Sequence, residues 1–248
     1  MKNLFTLIIG LILISATVVN SYGQKIMRLE NELKSNSSPM EAKRKAFGTV
    51  GKYQFGPYRI VSGKTGWTST RSSTGFFSSE TKSESKKKSS FLFVANDRDS
   101  VQVSTSTNTK TSETEKGDFS ILNVSSDNYM ASFSLKGDTA DWKMIIVAKR
   151  GAIVRNNFSA EGILTNGVKT IHIREVREWE DGKVPFLKLI LGYEFFLDQH
   201  SIAAVQSSPD GFQKKYVWLH QNLDEKMKVL LAAASASVML YTEETLAN

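Results

Sequence analysis

The 248-residue chain contains no cysteine. That excludes disulfides and thiol catalysis, and it limits any zinc site to histidine and carboxylate ligands. Without disulfides, the chain has to be held by its apolar core. Histidine is scarce as well. His172 alternates with Ile171 and Ile173, His200 falls in a hairpin turn, and His220 precedes the C-terminal apolar run. Three scattered histidines read as solvent-facing side chains rather than as ligands or bases. Also missing are the GxSxG elbow, HExxH, the P-loop and the dinucleotide fingerprint. The sequence therefore predicts a protein that is not an enzyme, with no cofactor and no metal.

Long apolar runs are absent outside the two ends of the chain. At the N-terminus, Lys2, the run Leu4 to Val19 and the small-residue site Ser21-Tyr22-Gly23 have the form of a signal peptide over residues 1–23. Cleavage near Gly23/Gln24 and export to a bacterial periplasm or cell surface are expected. An uncleaved anchor is the alternative reading of the same run. The formal charge of +7 falls by one, to +6, when Lys2 leaves. A modest positive excess suits an anionic membrane surface or an envelope polymer; nucleic acid is not expected. Oligomeric state is left open.

Residues 24–45 are polar and read as a lead-in with little core of their own, and residues 46–248 as one domain. Sheet is predicted from near Phe47. Between Gly63 and Asp118 the chain is rich in Ser, Thr and Lys, interrupted by Phe76-Phe77, by Phe91-Leu92-Phe93-Val94, and by Val101 and Val103. This predicts strands joined by an exposed loop around Ser83 to Ser90, with a floppy insertion as the competing reading. Lys86, Lys87 and Lys88 sit in that loop, and with Phe76 and Phe77 they are the candidate ligand-binding residues, opposed by the reading of a plain solvated charge run. Further strands are expected at Phe119–Val124, Tyr129–Leu135, Trp142–Ala148, Ser159–Leu164, Lys169–Trp179, Pro185–Leu191, Tyr193–Leu197, Ile202–Gln206 and Lys215–Leu219. Turn signals such as Asn166-Gly167 and Asp181-Gly182 separate several of them. Glu175, Glu178, Glu180 and Asp181 offer an acid/base or calcium cluster, but Arg174, Arg177 and Lys183 are interleaved with them, which favours a salt-bridged strand face. Trp67, Trp142, Trp179 and Trp218 read as core or rim rather than as a sugar platform.

The second apolar run closes the chain. Asn222 or Asp224 can cap a helix over residues 223–241, and from Val229 to Tyr241 no charged residue occurs. A helix without a polar face must be buried on all sides, and this uncharged part is too short to cross a bilayer. About twelve strands in a meander are too many for a simple open sheet. The predicted fold is mainly β, a closed antiparallel barrel of about twelve strands around an apolar C-terminal helix. The alternative is a β-sandwich with a C-terminal helix.

Leu223-Asp224-Glu225-Lys226-Met227-Lys228, the small apolar run after it and Tyr241-Thr242-Glu243-Glu244 resemble the end of a phospholipid scramblase. The hairpin Gly192 to Leu197 and Ser201 to Val205 resembles the penultimate strand pair of LURP-one-related proteins. Together they point to the tubby C-terminal, scramblase and LURP-one barrel superfamily, over about a fifth of the chain. The resemblance implies a twelve-stranded barrel threaded by its last helix. It does not carry calcium binding: Ser208 to Lys215 holds one acid and two lysines where scramblases are acidic, and the palmitoylated cysteines are missing. Those relatives also act inside cells. The expected function is an exported, non-catalytic barrel that binds anionic lipid or another envelope component. The alternative is an adhesin or carbohydrate-binding module presenting its Ser/Thr face, and a hydrolase built on Glu175 to Asp181 is the remaining option.

Overall fold

Alternation of apolar and polar side chains turns much of the chain between Met40 and Leu219 into strands, and the twelve strands that close on one another turn one face to a common interior. The structure is a computed structural model that describes residues 25–45, 52–74, 80–96, 99–116, 119–138, 140–151, 159–185, 189–207 and 213–246. The expected signal peptide, Phe47, Phe76, Phe77 and the turn Pro209-Asp210-Gly211 lie outside these residues. In order the strands are β1 (Met40–Lys45), β2 (Lys52–Phe55), β3 (Tyr58–Thr65), β4 (Ser69–Thr74), β5 (Glu80–Ala95), β6 (Asp99–Lys116) and β7 (Phe119–Leu135). They continue with β8 (Trp142–Gly151), β9 (Ser159–Thr165), β10 (Thr170–Val176), β11 (Gly192–Leu197), β12 (His200–Gln206) and β13 (Lys215–Leu219). A short helix α1 (Asn31–Ser35) precedes them and α2 (Glu225–Leu246) follows.

Every pairing is antiparallel. The sheet runs β3-β2-β1-β13-β12 and so on down to β5, and β3 then pairs with β5 to close a barrel of twelve strands. β4 is the thirteenth strand and lies outside the ring, paired with β5 beyond the end of β3. Closure removes the exposed edges that a twelve-stranded open sheet would present. An eight-stranded barrel can be filled by side chains alone; a twelve-stranded one needs a filler.

The filler is α2. Asp224 caps it, its Oδ1 accepting the Met227 N–H at 2.8 Å. Ala232, Ala233, Ala234, Ser235, Ala236 and Ser237 are completely buried, against walls that include Phe91, Phe93, Phe133 and Phe195. Small residues on the helix leave room for large ones on the wall. The buried serine hydroxyls are satisfied: Ser235 donates to the Leu231 carbonyl at 2.8 Å, and the Tyr129 phenol meets the Ser237 carbonyl at 3.0 Å and its hydroxyl at 2.5 Å. Tyr129 also stacks on Tyr241, with centroids 4.6 Å apart. At the helix end Glu243 accepts from the Tyr53 phenol and faces Lys215 at 3.6 Å and Arg44 at 3.7 Å. Burial, and then the Glu243 carboxylate, push the Tyr53 phenol well above its ordinary range.

Several expectations are corrected. The lead-in is structured: β1 joins the barrel, and Met27 and Leu33 are buried on its outer side with Trp179, Leu191, Ala204 and Trp218. Gly192 makes that contact possible, since a Cβ there would stand 2.6 Å from the Met27 sulfur and 2.0 Å from the Val205 carbonyl oxygen. Ser83 to Ser90 is no loop. It lies within β5, laddered on both edges, so its backbone is satisfied although its side chains are polar. Phe119–Val124 and Tyr129–Leu135 are parts of one strand, β7. The described parts of Pro185–Leu191 are not strand, and β10 stops at Val176, short of Trp179.

Candidate functional site

Because β5 is a strand, its three consecutive lysines do not share a face. Lys86 pairs with Ser69 and Asn108, and Lys88 pairs with Ser106; both are exposed on the outside of the barrel. Lys87 turns inward opposite Thr107 and is half-buried. The structure thus brings two of the three lysines together and separates the third. Of the aromatic residues near them, Phe76 and Phe77 lie outside the described residues. Phe91 and Phe93 are core residues, 1% and 0% exposed, and cannot reach a surface partner.

A different aromatic residue stands there. Trp67, in the three-residue break between β3 and β4, is 96% exposed, while Trp142, Trp179 and Trp218 are buried. Gly66 holds the break against β5: its N–H donates to the Lys88 carbonyl at 2.6 Å, and a Cβ would come within 2.9 Å of that oxygen. The backbone next to Trp67 is therefore tethered to that of Lys88. The sequence did carry one sign of this: Lys64-Thr65-Gly66-Trp67 puts a glycine next to a large aromatic after a strand-like run.

Register places Lys64, Arg71, Lys82, Lys86, Lys88 and Lys110 on the outer face of β3 to β6, against Glu80 and Glu84. Cations outnumber carboxylates on this face, which leaves a positive surface. Lys82 and Lys86 reach Glu80 and Glu84 at 3.7 and 3.3 Å. Lys88 has no carboxylate within ion-pair distance among the described residues. Glu84 is held below its usual carboxylate range by the Asn108 side chain, and then by Lys86.

The carboxylate cluster does not converge. Glu175 binds Arg177 at 2.7 Å, Glu178 binds Arg28 at 2.7 Å, Glu180 pairs with Lys34, and Asp181 pairs with Lys183 at 3.3 Å. The histidines lie apart: His172 on the outer face of β10, His200 at 3.0 Å from Glu32, and His220 accepting the Asn222 N–H at 3.2 Å. No protein-family model, curated protein or solved structure matches the chain.

Proposed function

We propose that this protein is an exported, non-catalytic barrel that docks on anionic lipid surfaces through the wall around Trp67. One observation carries the reading: the only exposed tryptophan of the four stands beside Lys88, on a face where cations outnumber carboxylates. An indole has an apolar body and a polar N–H, and it settles at the level of lipid headgroups. Each lysine near an anionic leaflet adds about 1 kcal/mol, fading beyond a Debye length of about 10 Å at 0.1 M salt. Glu80 and Glu84 offset part of this, so the binding is weak and salt-sensitive. Kinship with the tubby, scramblase and LURP-one barrels is part of the same proposal. A twelve-stranded barrel around a buried C-terminal helix supports it, and export rests on the signal-like first 23 residues.

The test is tryptophan emission and co-sedimentation with anionic and neutral vesicles, at low and high salt. The parent is expected to pellet with anionic vesicles at low salt only, with a blue shift that Trp67→Ala abolishes. A Lys86→Gln/Lys88→Gln variant should lose most of the pelleting, and Lys87→Gln little. Equal pelleting by parent, Trp67→Ala and the double-lysine variant removes this face from consideration.

A further inference from the structure

A second surface lies about a quarter of the way round the barrel, on β7 to β10. Met130, Ile145 and Ile163 stand directly opposite one another on three adjacent strands, and Val147 flanks them. They are 44%, 40%, 37% and 38% exposed. Single exposed apolar residues are ordinary; here four stand together across three adjacent strands, which makes the row a candidate contact surface. The row borders an open groove of about 530 Å³ on β8, β9 and β10, a size that suits a small molecule.

Arg174 stands at the groove's end. Its guanidinium lies over the Phe196 ring, 4.4 Å from the centroid, and its one polar contact is Gln199 Oε1 at 3.5 Å. No carboxylate lies within ion-pair distance of it among the described residues. The stacked guanidinium is thus oriented in advance, with its donors still available to a planar anion. Neighbouring carboxylates are mostly engaged elsewhere. Glu175 and Glu178 hold Arg177 and Arg28, and Glu194 beneath is 4% exposed and accepts from Ser201 at 2.5 Å and from the Glu30 N–H at 3.1 Å. Glu161 and Glu194 stand directly across the ladder from Arg174 on its two sides; Glu194 is buried and acts on Arg174 through charge, and Glu161 is the exposed one that competes for the same ligand.

We propose that this groove binds a single-chain anionic amphiphile, its alkyl chain along Ile145, Val147 and Ile163 and its carboxylate or comparable anionic head on Arg174. The charge complement decides the occupant: an apolar strip that ends on a stacked arginine held in no close ion pair fits a molecule with one tail and one anionic end. This site is independent of the Trp67 surface. It takes one molecule rather than a bilayer, and it lies on other strands.

The probe is decanoate below its micelle concentration, with decanol as the uncharged control. Binding is followed by the NMR shift of the His172 ring, which lines the groove, and by the melting temperature. Decanoate should saturate the shift and raise the melting point. Arg174→Gln should weaken decanoate by about tenfold and leave decanol unchanged, as expected for loss of a charge-assisted contact. Glu161→Gln should tighten decanoate several-fold by removing the competitor. Trp67→Ala should change neither ligand, so failure here and failure of vesicle docking are separable. Equal affinity for decanoate and decanol, or no saturable shift in the parent, overturns the proposal. So does a dimer, seen by sedimentation, that Ile163→Asn dissociates, because a second copy would then be the occupant.

Discussion

Strands β5, β6 and β7 each run through two environments, and the contrast between them explains most of this molecule. Along the plugged part their inward residues are Phe91, Phe93, Val101, Val103 and Phe133, all buried against the helix. The row Thr107–Tyr129 lies level with Tyr241, where the fully apolar part of α2 ends. Past that row the same inward positions become Ser83, Ser85, Thr109 and Thr111, half-buried and hydroxylated. The ladder continues unchanged across the boundary, with β5 and β6 paired from Ala95–Asp99 to Glu80–Thr114. Strand formation needs only backbone partners on both sides. An apolar face needs something to cover it, and the side chains change where the cover stops.

The sharpest way to break this contrast is to put the same charge into both parts. Ala234→Glu buries an unpaired carboxylate in the lumen, at a cost of several kcal/mol against a total stability of about 5–15 kcal/mol. It is expected to abolish folding by circular dichroism. Ser72→Glu on exposed β4 should change stability by no more than about 0.5 kcal/mol. If Ala234→Glu melts like the parent, the helix is no plug.

A smaller effect separates the two stretches by truncation. Phe133→Ala removes a fully buried ring and should cost about 3–5 kcal/mol in denaturant unfolding. Ser83→Ala loses a hydroxyl contact to Thr111 at 2.5 Å and should cost about 1 kcal/mol or less. Comparable losses would mean that the stretch past the Thr107–Tyr129 row is packed as tightly as the lumen.

The smallest effect concerns burial on the outer side. Desolvation raises the Glu194 carboxyl above its ordinary value, outweighing its hydrogen bond from Ser201. Between the ordinary and the raised value the folded state holds a proton that the unfolded chain has released, so stability falls as pH rises through that window and stays lower above it. Glu194→Gln has no proton to release. Its melting temperature should lack that slope and, at neutral pH, equal or exceed the parent's. A variant that is less stable at neutral pH, with the parent's slope intact, would show that Glu194 is charged and well served where it sits.

The helix and the barrel class were legible in the sequence because both rest on local signals. A run without charge from Val229 to Tyr241 has one physical solution in water, which is to be enclosed, and Asp224 marks where it starts. Turn residues and alternation gave most strands after Phe119. Ser83 to Ser90 was misread as a loop because Ser, Thr and Lys carry no apolar alternation, and local sequence cannot reveal the neighbouring strands that satisfy the backbone of β5. The lead-in was misread for a related reason. Met27 and Leu33 are two apolar residues among polar ones, and only the folded barrel supplies Trp179 and Trp218 for them to cover. The candidate site followed suit: three consecutive lysines were visible, but a strand turns Lys87 away from Lys86 and Lys88. The exposure of Trp67 and the row formed by Met130, Ile145 and Ile163 come from register between strands distant in sequence. By itself the sequence determined where the chain must bury surface and where it must turn. Which side chains meet on one face was decided by the closed ladder, because register is a property of pairs of strands and not of any one of them.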